Sequence, residues 1–156
     1  MNAEVSVRRL GPGDEEVLTG LALDGERYEE DGVAETEVPL ARADASAFLA
    51  DGGTHLLVAF AGDDPVGFVV VNELLHRHTF TRMFLVYEIG VVNEHRHRGV
   101  GRTLLEAVRA LAIERGVAEG FVLTNESNTA AMGLYAAAGA IRPHLDIAEW
   151  DFDYRL

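Results

Sequence analysis

The sequence predicts one α/β domain of the α+β kind, with a mostly antiparallel sheet and helices on its faces. Three observations predict it. Short β-rich runs separated by turn residues recur along the 156-residue chain. A near-continuous apolar run at residues 83–92 is typical of a central strand buried on both faces. Apolar residues then recur at helical spacing from Val100 onward.

The first half of the chain alternates strands with short helices. Residues 5–10 predict a strand, and Asp14 predicts the N-cap of the next helix because acidic residues occupy its first turn. The acidic stretch 24–37 indicates a short helix and a loop. Residues 43–53 indicate a helix that ends at two glycines. Residues 55–75 predict a hairpin whose turn is rich in glycine, aspartate and proline.

The second half contains the longest helical pattern. Gly90, inside the apolar run, predicts a bulge or a close approach of the backbone. The helix that follows ends near Gly116, and its apolar face consists of Val100, Leu104, Val108 and Leu111. Residues 120–125 predict a short strand, and residues 128–140 predict a helix that ends at a glycine. Residues 144–156 alternate in polarity and predict a final strand.

The composition excludes several chemistries. The chain has no cysteine, which removes disulfides, thiolate nucleophiles and most zinc sites, and no lysine, which removes a P-loop lysine and a Schiff base. Its formal charge of −13 argues against nucleic-acid binding and favours cationic partners, although a charged surface also serves solubility. No segment has the pattern of a leader or a membrane span, so we expect a soluble cytoplasmic protein that binds no membrane.

One stretch of this acidic chain is basic: NEHRHRGVGRTLL, residues 93–105. It contains Arg96, Arg98 and Arg102 beside Gly99 and Gly101, between the buried strand and the long helix. A helix N-terminus offers unpaired N–H groups, and glycines let a ligand approach the backbone, so the pattern indicates a phosphate site. A surface arginine cluster neutralised by solvent ions is the alternative. The two histidines of the stretch lack the accompanying carboxylates of a metal site.

The pattern Arg96-x-x-Gly99-x-Gly101 resembles the acetyl-CoA signature R/Q-x-x-G-x-G/A of the GNAT acetyltransferase superfamily. Residues 128–140 are similar to the family's N-x-x-A-x-x-L-Y-x-x-x-G-F segment, with Ala140 in place of the aromatic residue. The resemblance implies a six- to seven-stranded sheet, a single domain over residues 1–156, acetyl-CoA as the acetyl donor and no metal. It also allows a homodimer. The cofactor-binding residues that it implies are Val91, Val92, Arg96, His97, Arg98, Gly99, Val100, Gly101, Arg102, Asn128 and Ala131.

The resemblance also implies a mechanism. Without cysteine, direct attack of an amine on the acetyl thioester is the simplest route. Glu88 is the candidate general base, because burial in its apolar strand would raise its pKa; a solvent-facing or arginine-paired carboxylate is the alternative. Backbone N–H groups near Val91 and Val92 would polarise the thioester. Tyr135 would protonate the thiolate, since a free tyrosine has a pKa of about 10 against about 8.5 for a thiol; plain core packing is its alternative.

Two acidic clusters point to a cationic acceptor. One surrounds Glu29, Glu30 and Asp31, and the other is the last predicted strand, where Asp151 and Asp153 share a face. Carboxylates crowded on one face repel each other unless they are solvated or hold a cation. We predict that these five residues bind the substrate, with a solvated surface as the alternative.

Nearly the whole length of the chain is similar to the aminoglycoside 3-N-acetyltransferase branch of the superfamily. The similar segments are LDGERYEED, VYEIGVVNEHRHRGVGRTLL and WDFDY. In this resemblance Glu88 takes the place of an aspartate of the branch, and Asp153 that of its C-terminal aspartate. It implies 3-N-acetylation of an aminoglycoside and antibiotic resistance. The alternatives are a polyamine or protein N-terminal acetyltransferase, and a non-catalytic acyl-CoA-binding module.

Overall fold

The computed structural model describes residues 4–28, 39–146 and 154–155. The strands are β1 (Val5–Arg9), β2 (Thr54–Ala61), β3 (Asp64–Leu75), β4 (Arg82–Val91) and β5 (Gly120–Val122). The helices are α1 (Glu15–Leu23), α2 (Gly25–Tyr28), α3 (Arg42–Ala50), α4 (Val100–Arg115) and α5 (Thr129–Ala137), and a 3₁₀ turn (Asn93–His95) lies between β4 and α4. The strands form one sheet in the order β1-β2-β3-β4-β5, antiparallel except for the parallel pair β4 and β5.

The predicted fold class is therefore confirmed, but with fewer strands than expected. Five strands occur within the described ranges, against the six or seven that the resemblance implies. The predicted last strand, residues 144–156, lies largely outside the described residues. Residues 144–146 are irregular, and residues 147–153 and 156 lie outside the described residues.

Alternation along β2 separates two hydrophobic clusters, one on each face of the sheet. Leu57 and Ala59 pack toward α4, whose buried side chains are the four predicted from its spacing. Leu56 and Val58 pack on the other face, against α1 and α3. The sheet thus has helices on both faces, as predicted. No described helix is both long and apolar enough to cross a membrane.

The strand β4 departs from its predicted burial on both faces. Tyr87 is 68 % exposed, and Phe84 is its one fully buried residue. The cause is a register shift, because Val86 and Glu88 face consecutive residues of β3 and leave Tyr87 as the extra residue of a bulge. The close approach predicted at Gly90 is present: a Cβ on this glycine, three residues after Tyr87, would lie 2.8 Å from the Phe68 ring.

The start of α1 is stabilised differently from the prediction. Asp14 occupies the N-cap position, but its carboxylate accepts hydrogen bonds from the Gly11 N–H and from Arg8, both at 2.9 Å, instead of capping the helix. These hydrogen bonds hold the pKa of Asp14 below its usual range. Arg8 competes for the carboxylate because β1 ends beside the helix start.

A buried polar cluster lies on the central strands of the sheet, next to the C-terminal end of α4. Glu73 of β3 is 1 % exposed and accepts hydrogen bonds from His55 Nε2 and Arg115 Nε, both at 2.7 Å. Arg82 Nε lies 3.5 Å from its second carboxylate oxygen. The sequence reasoning did not single out these residues, because β2, β3, β4 and α4 each supply one of them.

Candidate active site

The basic glycine turn lies between β4 and α4, as the sequence predicted. His97 and Gly99 adopt positive φ angles of 57° and 87°, which favours glycine at the second position. α4 begins at Val100, and Thr103 donates both its N–H and its hydroxyl to the Gly99 carbonyl. The N–H groups at the start of a helix have no acceptor within it, so the turn has the local geometry of an anion site.

The three arginines of the turn have different surroundings. Arg102 Nε is 3.0 Å from Glu106 in an exposed pair one helical turn apart. Arg98 is exposed and has no hydrogen-bond or ion-pair partner among the described residues. Arg96 is half-buried, and its Nε donates to the Val91 carbonyl at 3.0 Å. Among the described residues, Arg98 is therefore the arginine of the turn whose charge has no protein partner.

The two motifs singled out in the sequence meet in the structure. A Cβ at Gly101, in the first turn of α4, would lie 3.0 Å from Leu134 Cδ2 of α5. The Asn128 side chain accepts a hydrogen bond from the Ala131 N–H at 3.1 Å, which confirms the predicted helix cap. The second glycine of the motif thus leaves room for Leu134 of α5, the residue before Tyr135, at the start of α4.

Among the described strands, β5 pairs with only the first part of β4 and leaves the rest of that edge of β4 open. Their ladder spans three pairs, Phe84–Val86 with Gly120–Val122, within the described part of the chain. On the other side, the Val92 N–H donates to the Val66 carbonyl at 3.0 Å. Since bonded and non-bonded pairs alternate in an antiparallel ladder, the Val91 N–H faces away from β3. Of the two predicted backbone donors, Val91 therefore faces the open edge, while the Val92 N–H is used within the sheet.

Glu88 lies on β4 next to the bulge. It is exposed, so the burial predicted from the apolar run is wrong, and the expected desolvation does not apply. Its cross-strand neighbour is Val70, and Gly90 on the same face is opposite Phe68. This face of the sheet is the one that α1 and α3 cover. Glu88 thus faces the side of the sheet opposite to α4.

Tyr135 lies on α5 and is half-buried, and burial raises the pKa of its hydroxyl. That hydroxyl has no hydrogen-bond partner among the residues that the structure describes. A tyrosine of this kind is protonated at neutral pH and has a proton to donate.

The five predicted substrate-binding residues, Glu29, Glu30, Asp31, Asp151 and Asp153, lie outside the described residues. Their role stays a prediction. Asp24, at the start of the acidic stretch 24–37, is paired with Arg27 at 3.2 Å. Within the described ranges, no group of three histidine, aspartate or glutamate side chains could hold a metal ion.

The acidic stretch around α2 was predicted to lie on the acceptor side, but Arg27 and Tyr28 of this short helix were not singled out. Arg27 reaches Asp64 at the start of β3 at 3.2 Å. The Tyr28 hydroxyl donates to the Pro65 carbonyl at 3.3 Å, and its ring meets Phe68 edge-on with the centroids 5.1 Å apart. Burial raises the pKa of Tyr28 to about 12. The sequence signal that could have identified them is the presence of an arginine and a tyrosine, Arg27 and Tyr28, inside an otherwise acidic stretch.

A helix start with the geometry of an anion site, directly after a strand, is typical of a class of domain that binds a phosphate-bearing ligand. The comparison with known proteins identifies the class. Residues 22–140 match the model of the acetyltransferase (GNAT) family, which covers well over half of the chain. The chain belongs to this family and is an N-acetyltransferase, and enzymes of the family use acetyl-CoA.

Solved structures of acetyltransferases share the fold over nearly the whole chain. Aminoglycoside acetyltransferase HMB0005 from an uncultured soil metagenomic sample is 21% identical with a TM-score of 0.85, over 97% of this chain and 99% of that one. AAC(6')-Iy, bound to the bisubstrate analog CoA-S-monomethyl-acetylneamine, is 19% identical with a TM-score of 0.74, over 96% and 99%. Ribosomal-protein-alanine N-acetyltransferase from Brucella melitensis biovar Abortus 2308 is 20% identical with a TM-score of 0.73, over 97% and 100%. No curated protein matches the sequence.

Proposed function

We propose that the protein transfers the acetyl group of acetyl-CoA directly to a primary amine of a cationic small molecule, with an aminoglycoside as the first candidate. The observation that carries the proposal is the position of the open edge of β4 beside the glycine turn. The turn supplies an anion site for the pyrophosphate, and the Val91 N–H faces the edge along which the acetyl end would lie.

The residues of the turn fit the anionic end of acetyl-CoA. The N–H groups at the start of α4 suit pyrophosphate oxygens, and the exposed Arg98 guanidinium can add charge-assisted hydrogen bonds. Gly99 and Gly101 leave the backbone accessible and let α5 approach. His97, Val100, Arg102, Asn128 and Ala131 complete the proposed contacts along the turn and the start of α5. The bound donor supplies an acetyl thioester whose leaving group is a thiolate.

The proposed reaction needs three groups of this chain. Glu88 accepts a proton from the acceptor amine, whose nitrogen forms a bond to the acetyl carbon. The Val91 N–H donates to the thioester oxygen as it gains negative charge; such donors typically contribute about 3–4 kcal/mol. The carbon–sulfur bond breaks, and the Tyr135 hydroxyl donates its proton to the departing sulfur. Because the chain contains no cysteine, no thioester on the enzyme is needed or available.

Substituting Tyr135 by phenylalanine tests the proposed acid. The substitution removes one hydroxyl and keeps the packing of α5, so we expect kcat to fall by about 10²-fold while the KM for acetyl-CoA changes little. Steady-state kinetics and a melting curve measure both effects. Tyr87→Phe is the matched control, because its exposed hydroxyl lies outside the proposed chemistry. A Tyr135→Phe variant with unchanged kcat would make Tyr135 a packing residue.

Two acceptor classes have support. The formal charge of −13 suits a polycation, and aminoglycoside acetyltransferases are among the similar structures. Specifically, we propose that the enzyme acetylates the 3-N position of an aminoglycoside. We also propose that it acts in the cytoplasm and that the effect is antibiotic resistance. The similar ribosomal-protein-alanine N-acetyltransferase supports a protein N-terminus as the second candidate. A polyamine also suits the charge.

The deciding experiment measures free thiol released from acetyl-CoA with a panel of amines. The panel contains gentamicin-type and kanamycin-type aminoglycosides, spermidine, and peptides that begin with alanine. We expect turnover with the aminoglycosides alone, and the product's NMR spectrum identifies the acetylated nitrogen. Turnover confined to the peptides or to spermidine would show that the acceptor is a protein N-terminus or a polyamine and not an aminoglycoside. Coenzyme A binding without turnover on any amine would indicate a non-catalytic acyl-CoA-binding module.

A further inference from the structure

We propose that Arg96 is a positioning residue that couples the occupied glycine turn to the placement of α2 on the acceptor side of β4. The family signature associates this position with the anionic cofactor, but its guanidinium contacts two backbone carbonyls of the chain. The inference rests on the proposed function for its ligand, since the anion at the turn is coenzyme A. It assigns to Arg96 a role that acts through α2.

The geometry of the contact is a fork. Arg96 Nε donates to the Val91 carbonyl at 3.0 Å, and a terminal nitrogen donates to the Tyr28 carbonyl. These two acceptors belong to the end of β4 and the end of α2, which lie 63 residues apart in the sequence. A planar guanidinium can satisfy both acceptors at once, which a lysine ammonium cannot do with the same geometry. Arg96 therefore ties α2 to the strand at the place where the turn begins.

The position of α2 matters because Tyr28 stands on the same face of β4 as Glu88. The Tyr28 ring packs at Gly90, where a Cβ would lie 3.1 Å from its Cδ1 atom. Gly90 and Glu88 are two residues apart on that face, opposite Phe68 and Val70. A shift of α2 therefore moves a wall of the space in which an amine would approach Glu88.

Within the described residues, the other polar contacts of α2 lie away from the turn, and the Arg96 fork is the one that reaches it. Arg27 to Asp64 and the Tyr28 hydroxyl to Pro65 anchor α2 to the start of β3, which lies at the β2–β3 hairpin. Arg96 is the first residue of the turn that carries the anion site. An anion bound to the turn restrains its backbone, and the Arg96 side chain transmits that restraint to the Tyr28 carbonyl. Occupancy of the turn should thus stabilise α2, and by linkage an ordered α2 should favour coenzyme A.

Hydrogen–deuterium exchange with coenzyme A alone tests this coupling without an acceptor. In the wild-type protein, we expect coenzyme A to slow exchange in a peptide of the turn and in a peptide covering residues 21–28, the latter by about fivefold or more. In Arg96→Lys, which keeps the charge and loses the fork, the turn peptide should remain protected and the α2 peptide should not. With any amine that is turned over, the same variant should raise the KM for the amine more than the KM for acetyl-CoA.

Arg98→Gln is the matched control, since it removes a charge from the same turn but makes no contact with α2. At saturating coenzyme A, we expect it to keep the protection of α2 despite weaker binding. If coenzyme A protects the turn but not α2 in the wild-type protein, the coupling is overturned. This measurement needs only the wild-type protein, so it tests the coupling even if Arg96→Lys does not fold. Protection of α2 that survives in Arg96→Lys would overturn the role of Arg96. No binding of coenzyme A by the wild-type protein would instead overturn the proposed function.

Discussion

Glu88→Gln is expected to lower kcat by about 10²–10⁴-fold, the usual contribution of a positioned general base. Glutamine has nearly the size of glutamate but cannot accept a proton from an amine. Because Glu88 is exposed and the substitution keeps the size of the side chain, we expect the melting temperature to stay nearly unchanged. Steady-state kinetics of thiol release, with the acceptor identified by the amine panel, measure the loss. Full turnover by Glu88→Gln would exclude Glu88 as the base.

The pH profile separates a base from a residue that only attracts a cation. If Glu88 removes the proton of an ammonium group, the deficit of Glu88→Gln should shrink as rising pH deprotonates the amine in solution. A residue that only binds the cation would show no such recovery at high pH and would mainly raise the KM for the amine. Glu88→Asp keeps a carboxylate at this position, so it should retain more activity than Glu88→Gln. Glu119→Gln, at the closed end of β4 and β5, is the control for a lost surface charge.

The parts of the fold predicted from the sequence are those that depend on local patterns. The four buried residues of α4 follow from helical spacing alone, and Gly116 ends the helix in the left-handed conformation expected of a glycine there. The Asn128 cap is equally local, because the side chain and its N–H partner are three residues apart. The glycine turn was predicted for the same reason, since strand, turn and helix follow one another directly.

The parts that the sequence did not predict depend on register and on distant contacts. The apolar run around Glu88 reads as a strand buried on both faces, but the bulge at Tyr87 changes which residues face solvent. No local pattern in the sequence marks this bulge, because it is a shift in the pairing register between β4 and β3. The contact of Arg96 with the Tyr28 carbonyl joins residues 68 apart, so a motif of six residues could indicate charge at the turn but not its acceptor.

A second large effect is expected at the buried cluster around Glu73. Its carboxylate accepts two hydrogen bonds from charged or polar groups at 2.7 Å in a position that water hardly reaches. Glu73→Gln keeps the volume but loses the charge and an acceptor, so we expect the free energy of unfolding to fall by about 1–3 kcal/mol. Arg115 and Arg82 are partly exposed and can turn toward water, which keeps the loss below that of a fully buried ion pair.

The same cluster predicts a pH dependence. Burial alone would raise the pKa of Glu73, but the hydrogen bonds from Arg115 and His55 outweigh it and hold the pKa below its usual range. A carboxylate whose pKa is lowered by folding stabilises the protein above the ordinary glutamate range, and this contribution is lost as the pH falls through and below that range. The wild-type protein should therefore lose stability on acidification more steeply than Glu73→Gln.

Urea unfolding followed by circular dichroism, at neutral pH and at several acidic pH values, measures both effects of Glu73→Gln. Glu106→Gln is the matched control, because it removes a glutamate from an exposed pair with Arg102 on the surface of α4 and should change stability little. If Glu73→Gln and Glu106→Gln have equal stability at neutral pH, the buried carboxylate of Glu73 contributes no more to stability than the surface carboxylate of Glu106. Equal acid slopes for the wild type and Glu73→Gln would assign the acid sensitivity to other carboxylates, of which Asp14, held by Gly11 and Arg8, is the next to substitute.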